Sequence, residues 1–156
     1  MPHSQALDIL QDTSQTFAQQ LFAIFEQKLV PEAVLQEFVC DCTEYVLKWM
    51  IAQGREVEPY RWEMLKIKRQ WLKGEIEENT YRQMEKDARL SAQRVSAQSG
   101  DVELANALAD AASGAEYTAR AMIWFGLAIE KVAQEDPGLS EEVSSWQREH
   151  FTALLG

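Results

Sequence analysis

Apolar residues recur at three- and four-residue steps along almost the whole chain, and that spacing predicts helices in series. Leu7, Leu10, Phe17, Leu21, Phe25 and Leu29 fall on one face of a first helix from about Ser4 to Leu29. Val30-Pro31 ends it, because proline pushes the residue before it out of the α region. A second helix, Glu32 to Gln53, carries a wider stripe of Val34, Leu35, Phe38, Val39, Cys42, Tyr45, Val46, Trp49 and Met50, and Gly54 is placed to supply a left-handed stop. Pro59 suits the first turn of a third helix, where its missing N–H costs nothing. Tyr60, Met64, Ile67 and Trp71 line one side of it, and Gly74 closes it. The fourth helix opens with Glu75, Glu77 and Glu78 and runs through Tyr81, Met84, Ala88, Ala92 and Val95 to about Ala97; Ser99-Gly100-Asp101 then reads as a turn with Asp101 as an N-cap.

Leu104, Leu108, Ala111, Ala115, Ala119, Met122, Gly126, Ile129 and Ala133 continue the spacing through a single long fifth helix, Val102 to Ala133. Eight alanines lie between Ala105 and Ala121, and small residues let two helix backbones approach closely. Ala88 and Ala92 can face this row across an antiparallel hairpin. Asp136-Pro137-Gly138 breaks the run, and a final helix, Ser140 to Leu155, offers Val143, Trp146, Phe151 and Leu154 for docking. β-branched residues nowhere alternate with polar ones for more than a few positions. The expected fold is all-α: a single domain over residues 1–156, a bundle of about six helices with an Ala-rich close-packed antiparallel helix pair.

Charge adds an asymmetry to this picture. The net charge is −10, with seven acidic and two basic residues in 1–54, three and six in 55–73, and fifteen and seven in 74–156. Such a balance repels phosphates and anionic membranes and favours a basic partner. Arg61 to Lys73, basic with interleaved aromatics, is expected to pair with glutamates of neighbouring helices or with a second copy instead of nucleic acid. Met1 to Leu10 has no basic cluster, and the longest strongly apolar run, Ala121 to Ile129, is nine residues, far below the ~20 that span a bilayer. The expected setting is therefore soluble and reducing, without membrane contact.

Candidate chemistry is sparse. The two histidines, His3 and His150, do not follow a glutamate at the Glu-x-x-His spacing of di-iron bundles. Glu37, Asp41 and Glu44 share a helical face, expected to be solvated. Cys40 and Cys42 point about 200° apart on a helix, which predicts one buried thiol and one partly exposed. Trp49, Trp62, Trp71 and Trp124 are expected in the core, with an apolar ligand pocket as the alternative. No phosphate loop or nucleophile elbow is present, so the expectation is a non-catalytic protein without metal or cofactor. The weak partner-binding candidates are Asp8, Asp12, Glu135, Asp136, Glu141 and Glu142, because both chain ends are acid-rich.

Residues Cys42 to about Val132 resemble a helical group of immunity proteins from bacterial polymorphic toxin systems, the group labelled immunity protein five-like. The likeness rests on Cys42-Thr-Glu-Tyr-Val-Leu47, on Pro59-Tyr-Arg-Trp-Glu-Met-Leu-Lys-Ile-Lys-Arg-Gln-Trp-Leu-Lys-Gly-Glu-Ile76, and on two Ala-rich pieces. Those are Asp87-Ala-Arg-Leu-Ser-Ala-Gln-Arg94 and Ala109-Asp-Ala-Ala-Ser-Gly-Ala-Glu-Tyr-Thr-Ala119; the Trp71-Leu-Lys-Gly-Glu-Ile76 turn is the best match. Histidines common in the Ala-rich helices of that group are missing here, with Asp87 and Glu116 nearby, so no ligand set is carried over. The resemblance implies a bacterial cytoplasmic protein that binds a cognate toxin, a basic polypeptide by the charge argument, and blocks it by occupying its surface. A self-associating structural or scaffold protein, a homodimer among its forms, is the alternative.

Overall fold

Two short polar segments compete with the backbone for hydrogen bonds and divide helices that hydrophobic spacing alone would run together. The computed structural model describes residues 3–94, 101–134 and 136–156. Its elements are α1 (Ser4–Leu10), α2 (Phe17–Glu26), α3 (Glu32–Ala52), α4 (Pro59–Leu72), α5 (Glu78–Arg94), α6 (Asp101–Ala112), a 3₁₀ turn (Ala115–Tyr117), α7 (Thr118–Ala133) and α8 (Pro137–Leu155). The fold is all-α: among the described residues there is no strand, and there are eight α-helices, not about six. The expected fourth-helix end near Ala97 and the turn at Ser99-Gly100 lie outside the described residues.

The first division falls at residues 11–16. Asp12 Oδ1 accepts from the Ser14 N–H at 3.0 Å and from its hydroxyl at 2.6 Å, a local turn that outcompetes helix continuation. Thr16 then starts α2 with a capping box, its hydroxyl accepting from Gln19 N–H while the Gln19 side chain accepts from Thr16 N–H. The buried Gln20 amide donates back to Asp12 O at 2.8 Å, a carbonyl that also accepts from the Gln15 N–H at 3.3 Å. The second division, at Ser113-Gly114, separates α6 from α7; its supports form the site described below. The expected stop at Leu29 comes earlier, since α2 ends at Glu26 and Lys28 takes a left-handed φ of 53°, whereas the stops at Gly54 and Gly74 hold. Gly54 and Gly74 sit at φ +81° and +73°, the left-handed region that a Cβ disfavours. The last helix begins earlier than Ser140, because Asp136 caps it by accepting from Gly138 N–H at 3.1 Å and Pro137 fits its first turn.

Packing centres on α3 and α6. From Glu103 to Ala112 every α6 residue except Asn106 is buried, as expected for a helix apolar nearly all round. Its most extensive pairing is with α7, followed by α5. The main core joins Leu21 and Ile24 of α2, Phe38, Cys42 and Val46 of α3, Leu104 and Leu108 of α6, Phe125 of α7, and Phe151 of α8. A smaller core gathers Tyr81, Met84 and Ala88 of α5 with Ala109 and Ala112 of α6. Trp49 is buried, whereas Trp62, Trp71 and Trp124 are half-buried against the cores.

Two expectations change here. Asp41 and Glu44 do not form a solvated face: Arg69 of α4 donates to Asp41 Oδ1 and Glu44 Oε1, each at 3.0 Å. His150 Nε2 of α8 lies 2.8 Å from Asp41 Oδ2, and its ring stacks on Trp146, which stacks on Tyr45. Glu37 remains exposed. The two thiols are both buried, because α3 is enclosed on two sides, with α4 and α6 packed against it as well as α7 and α8. Burial pushes the Cys40 thiol up to about 11 and the Cys42 thiol up as well. Neither cysteine should react with a thiol-specific disulfide reagent at pH 8 in the native protein, and both should react in concentrated urea. A rapid native-state reaction of one equivalent would contradict this packing.

Candidate functional site

A helix that ends inside a protein leaves carbonyls that must find donors. Ser113 turns its hydroxyl back to Ala109 O at 2.9 Å, and Gly114 takes an extended conformation at φ −74°, ψ 173°, so α6 stops in the interior. Tyr81 of α5 donates to Ala112 O at 2.5 Å. Lys68 of α4 donates to Ser113 O at 2.6 Å and to the Tyr81 hydroxyl at 3.0 Å. The ammonium also lies 5.5 and 5.2 Å from the centres of the Trp71 and Tyr81 rings, which are themselves stacked at 3.9 Å. A cation at a helix C-terminus is favourable, yet Lys68 is only 2% exposed, and burial pulls its amine down to about 8.

The same break holds a second buried charge. Asp110 is 1% exposed and accepts from Arg89 of α5 at 2.7 Å and from two nitrogens of Arg120 of α7 at 2.8 and 2.9 Å. Arg89 also donates to the Ser113 hydroxyl at 2.8 Å. Both guanidiniums lie over the Tyr117 ring, at 5.0 and 4.7 Å from its centre. A Cβ at Gly114 would meet only the carboxylate end of the exposed Glu116 side chain, which can swing aside. Outside this network opens a polar cleft of about 520 Å³, lined by Trp71, Tyr81, Arg82, Glu85, Lys86, Arg89, Gly114, Glu116 and Tyr117 among others. Three of its charges are engaged: Arg82 is held by Glu78 and by Glu85, and Arg89 by Asp110. The cluster can bind helices together; among the described residues no group of three His, Cys, Asp or Glu side chains is placed to hold a metal ion.

A different surface is apolar and open. Among the described residues, five large hydrophobic side chains are exposed, and three share one region: Phe22 on α2 at 53%, with Ile123 at 51% and Leu127 at 40% on α7. Phe22 and Ile123 line a groove of about 1100 Å³ between α2 and α7, with Ser14, Gln15, Gln19, Glu116, Tyr117 and Arg120 also on its walls. Leu127 follows Ile123 by one turn on the same helix face. These residues were not singled out from sequence, but a signal was present. Phe22 stands three residues before Phe25, and Ile123 four after Ala119, at the edges of the two stripes, while Leu127 falls off the Leu104–Ala133 row.

The acidic candidates fall in two places. Asp8 is exposed on α1, and Asp12 is exposed at the first division, beside the groove through its bond to Ser14. Asp136, Glu141 and Glu142 are exposed in and just before the first turns of α8; Glu135 lies outside the described residues. Gln20, bonded to Asp12 O, receives Arg148 of α8 at 2.8 Å, and Arg148 is ~18 Å along the helix from Asp136 at about 1.5 Å per residue. The two sets therefore do not converge on one point. The basic segment of α4 is spent mainly inside: Arg61 on Glu58 at 2.9 Å, Lys68 on carbonyls, Arg69 on α3. No helix among the described residues is long and apolar enough to cross a membrane. The chain matches no family model, and neither a curated protein nor a solved structure matches it significantly.

Two measurements test the buried network. Asp110→Ala leaves Arg89 and Arg120 facing an empty position; because both guanidiniums reach water, the expected loss is about 2 kcal/mol, below the ~3–5 typical of a fully buried pair. Urea unfolding reads it, and an unchanged midpoint would show the network to be inert. The second measurement is a pH series. Between about pH 8 and 10.5 the unfolded chain keeps a proton on Lys68 that the folded chain has shed, so its contribution to stability rises with pH. Around pH 9 the unfolded thiols ionise while Cys40 and Cys42 stay protonated, and from about pH 10 the same holds for Tyr81, whose phenol burial also raises. Stability then falls. Lys68 alone would raise stability by about 1 kcal/mol from pH 7.5 to 9, and the two unfolded thiols, half-ionised by pH 9, offset most of it; urea midpoints should therefore stay nearly level over that range and decline beyond, whereas in Lys68→Met they should already fall between pH 7.5 and 9.

Proposed function

We propose that this chain is a non-catalytic helical binding protein of the immunity type, a bacterial cytoplasmic protein that neutralises a cognate toxin by direct binding. The observation that carries the reading is the open apolar surface of Phe22, Ile123 and Leu127. Clustered exposed hydrophobics mark interaction surfaces, and each such side chain contributes roughly 1.5–3 kcal/mol when fully buried. The net charge of −10 supports a basic partner, since opposite charge speeds encounter. Asp8, Asp12, Asp136, Glu141, Glu142 and Glu135 act in this reading as steering charges. The internally satisfied network around Lys68 and Asp110 serves as scaffold, and the Ala-rich segments of α5 and α6, which we infer to be a close-packed antiparallel pair, stiffen it.

A self-associating scaffold protein is the second reading, supported by the same apolar face. The two separate experimentally. Tagged protein captured from its native cells at low and moderate salt should bring down a stoichiometric basic polypeptide, less of it as salt rises. That polypeptide, expressed alone, should arrest bacterial growth, and co-expression of this chain should restore it. A partner that does not arrest growth, or arrest that this chain does not relieve, sinks the immunity reading. A concentration-dependent dimer in sedimentation, with no such partner, supports the scaffold.

A further inference from the structure

The α2–α7 groove has a shape and a charge pattern that specify what it takes. Its volume, about 1100 Å³, is enough for roughly two turns of an α-helix with its side chains. Its apolar lining runs lengthwise, Phe22 and Ala23 on one wall and Ala119 and Ile123 on the other, with Leu127 exposed one turn beyond Ile123, the arrangement that accepts a helix presenting residues at i, i+3 or i+4 and i+7. The charges around it are predominantly acidic. Glu116 lines it, and Asp12 stands beside it on Ser14. Glu26 is exposed one turn beyond Phe22, and Glu130 is exposed three residues beyond Leu127. Of the basic groups nearby, Lys131 pairs with Glu103, Arg120 shares Asp110 with Arg89, and Lys28 is exposed beyond the end of α2, so the balance around the groove is acidic. An incoming helix with Lys or Arg flanking an apolar stripe would meet carboxylates, and an acidic one would be repelled.

We infer that this groove docks a basic amphipathic helix of a partner protein, a reading that rests on the binding-protein function above and names the chemistry of the partner. The test uses the full chain, isotope-labelled, and two synthetic amphipathic peptides of about five turns. Both carry the same leucine stripe; one has lysine and the other glutamate at the remaining positions. The Leu/Lys peptide should shift amide signals of α2 and α7, and should bind at least about tenfold more tightly than the Leu/Glu peptide, the difference shrinking as salt screens the carboxylates. The double variant Phe22→Ala/Ile123→Ala, altered only at exposed positions, should retain its helical circular dichroism and lose at least about tenfold in affinity, the scale of a lost apolar anchor.

Equal binding of the two peptides, binding indifferent to the double variant, or signal changes centred on another face would each overturn the groove assignment. So would a groove filled by a second copy, seen as a dimer that the double variant dissolves. The assay contains no toxin, so its failure leaves neutralisation standing. Conversely, a captured toxin that retains full affinity for the double variant overturns the groove while preserving neutralisation.

Discussion

The architecture depends on how the interior end of α6 is satisfied. A helix terminating in the core exposes carbonyls to an apolar medium, and each one left without a donor costs about 1–3 kcal/mol. Lys68 and Tyr81 supply those donors to Ser113 O and Ala112 O, and in doing so fix where α4 and α5 lie against α6. Asp110, one turn earlier, draws in Arg89 and Arg120 and so ties α5 and α7 to the same point. Two buried charges of opposite sign thus stand at one helix break, each surrounded by partners. That is the condition under which buried ionic groups specify an arrangement and do not merely weaken it. The lowered Lys68 amine is the cost of putting a cation there.

The break also produces the open surface. Were α6 and α7 one helix, a single stripe would face the core throughout. Because the chain is interrupted at Ser113-Gly114 and restarts through the 3₁₀ turn at Ala115, α7 packs back along α6 with its own phase. Ala121, Met122, Phe125, Ala128 and Ile129 turn inward, and Ile123 and Leu127 are left outside beside α2. On the far side of α3, the Tyr45–Trp146–His150 stack and the Asp41–Arg69 pair close α8 and α4 over the bundle. Many of the charges that looked free along α3 and α4 are consumed there. The exposed acidic surface and the α2–α7 face remain available to a partner.

How much of this was legible follows from where information is local. The helical character of the chain, the boundaries at Pro31, Gly54, Pro59 and Gly74, and the burial of the α3 stripe all follow from periodicity and turn chemistry, which act within a few residues. The division at 11–16 was equally local: Thr16-Phe-Ala-Gln19 is a capping box, and a helix start there could be read directly. The division at Ser113-Gly114 was less so. Serine and glycine are tolerated inside Ala-rich helices, and only the donors brought by α4 and α5 make stopping there favourable.

Sequence alone therefore determined an acidic, all-helical chain and most of its helix ends, because helix propensity, capping and proline geometry are properties of neighbouring residues. The tertiary structure alone decided the rest. It buried Lys68, gave Asp110 two guanidiniums, enclosed both cysteines and tied Asp41 and Glu44 to Arg69. It also left Phe22, Ile123 and Leu127 exposed together. Each of these depends on which distant helix arrives at a given face, and pairing across the bundle is set by the total of packing and polar satisfaction, to which no single segment holds the key.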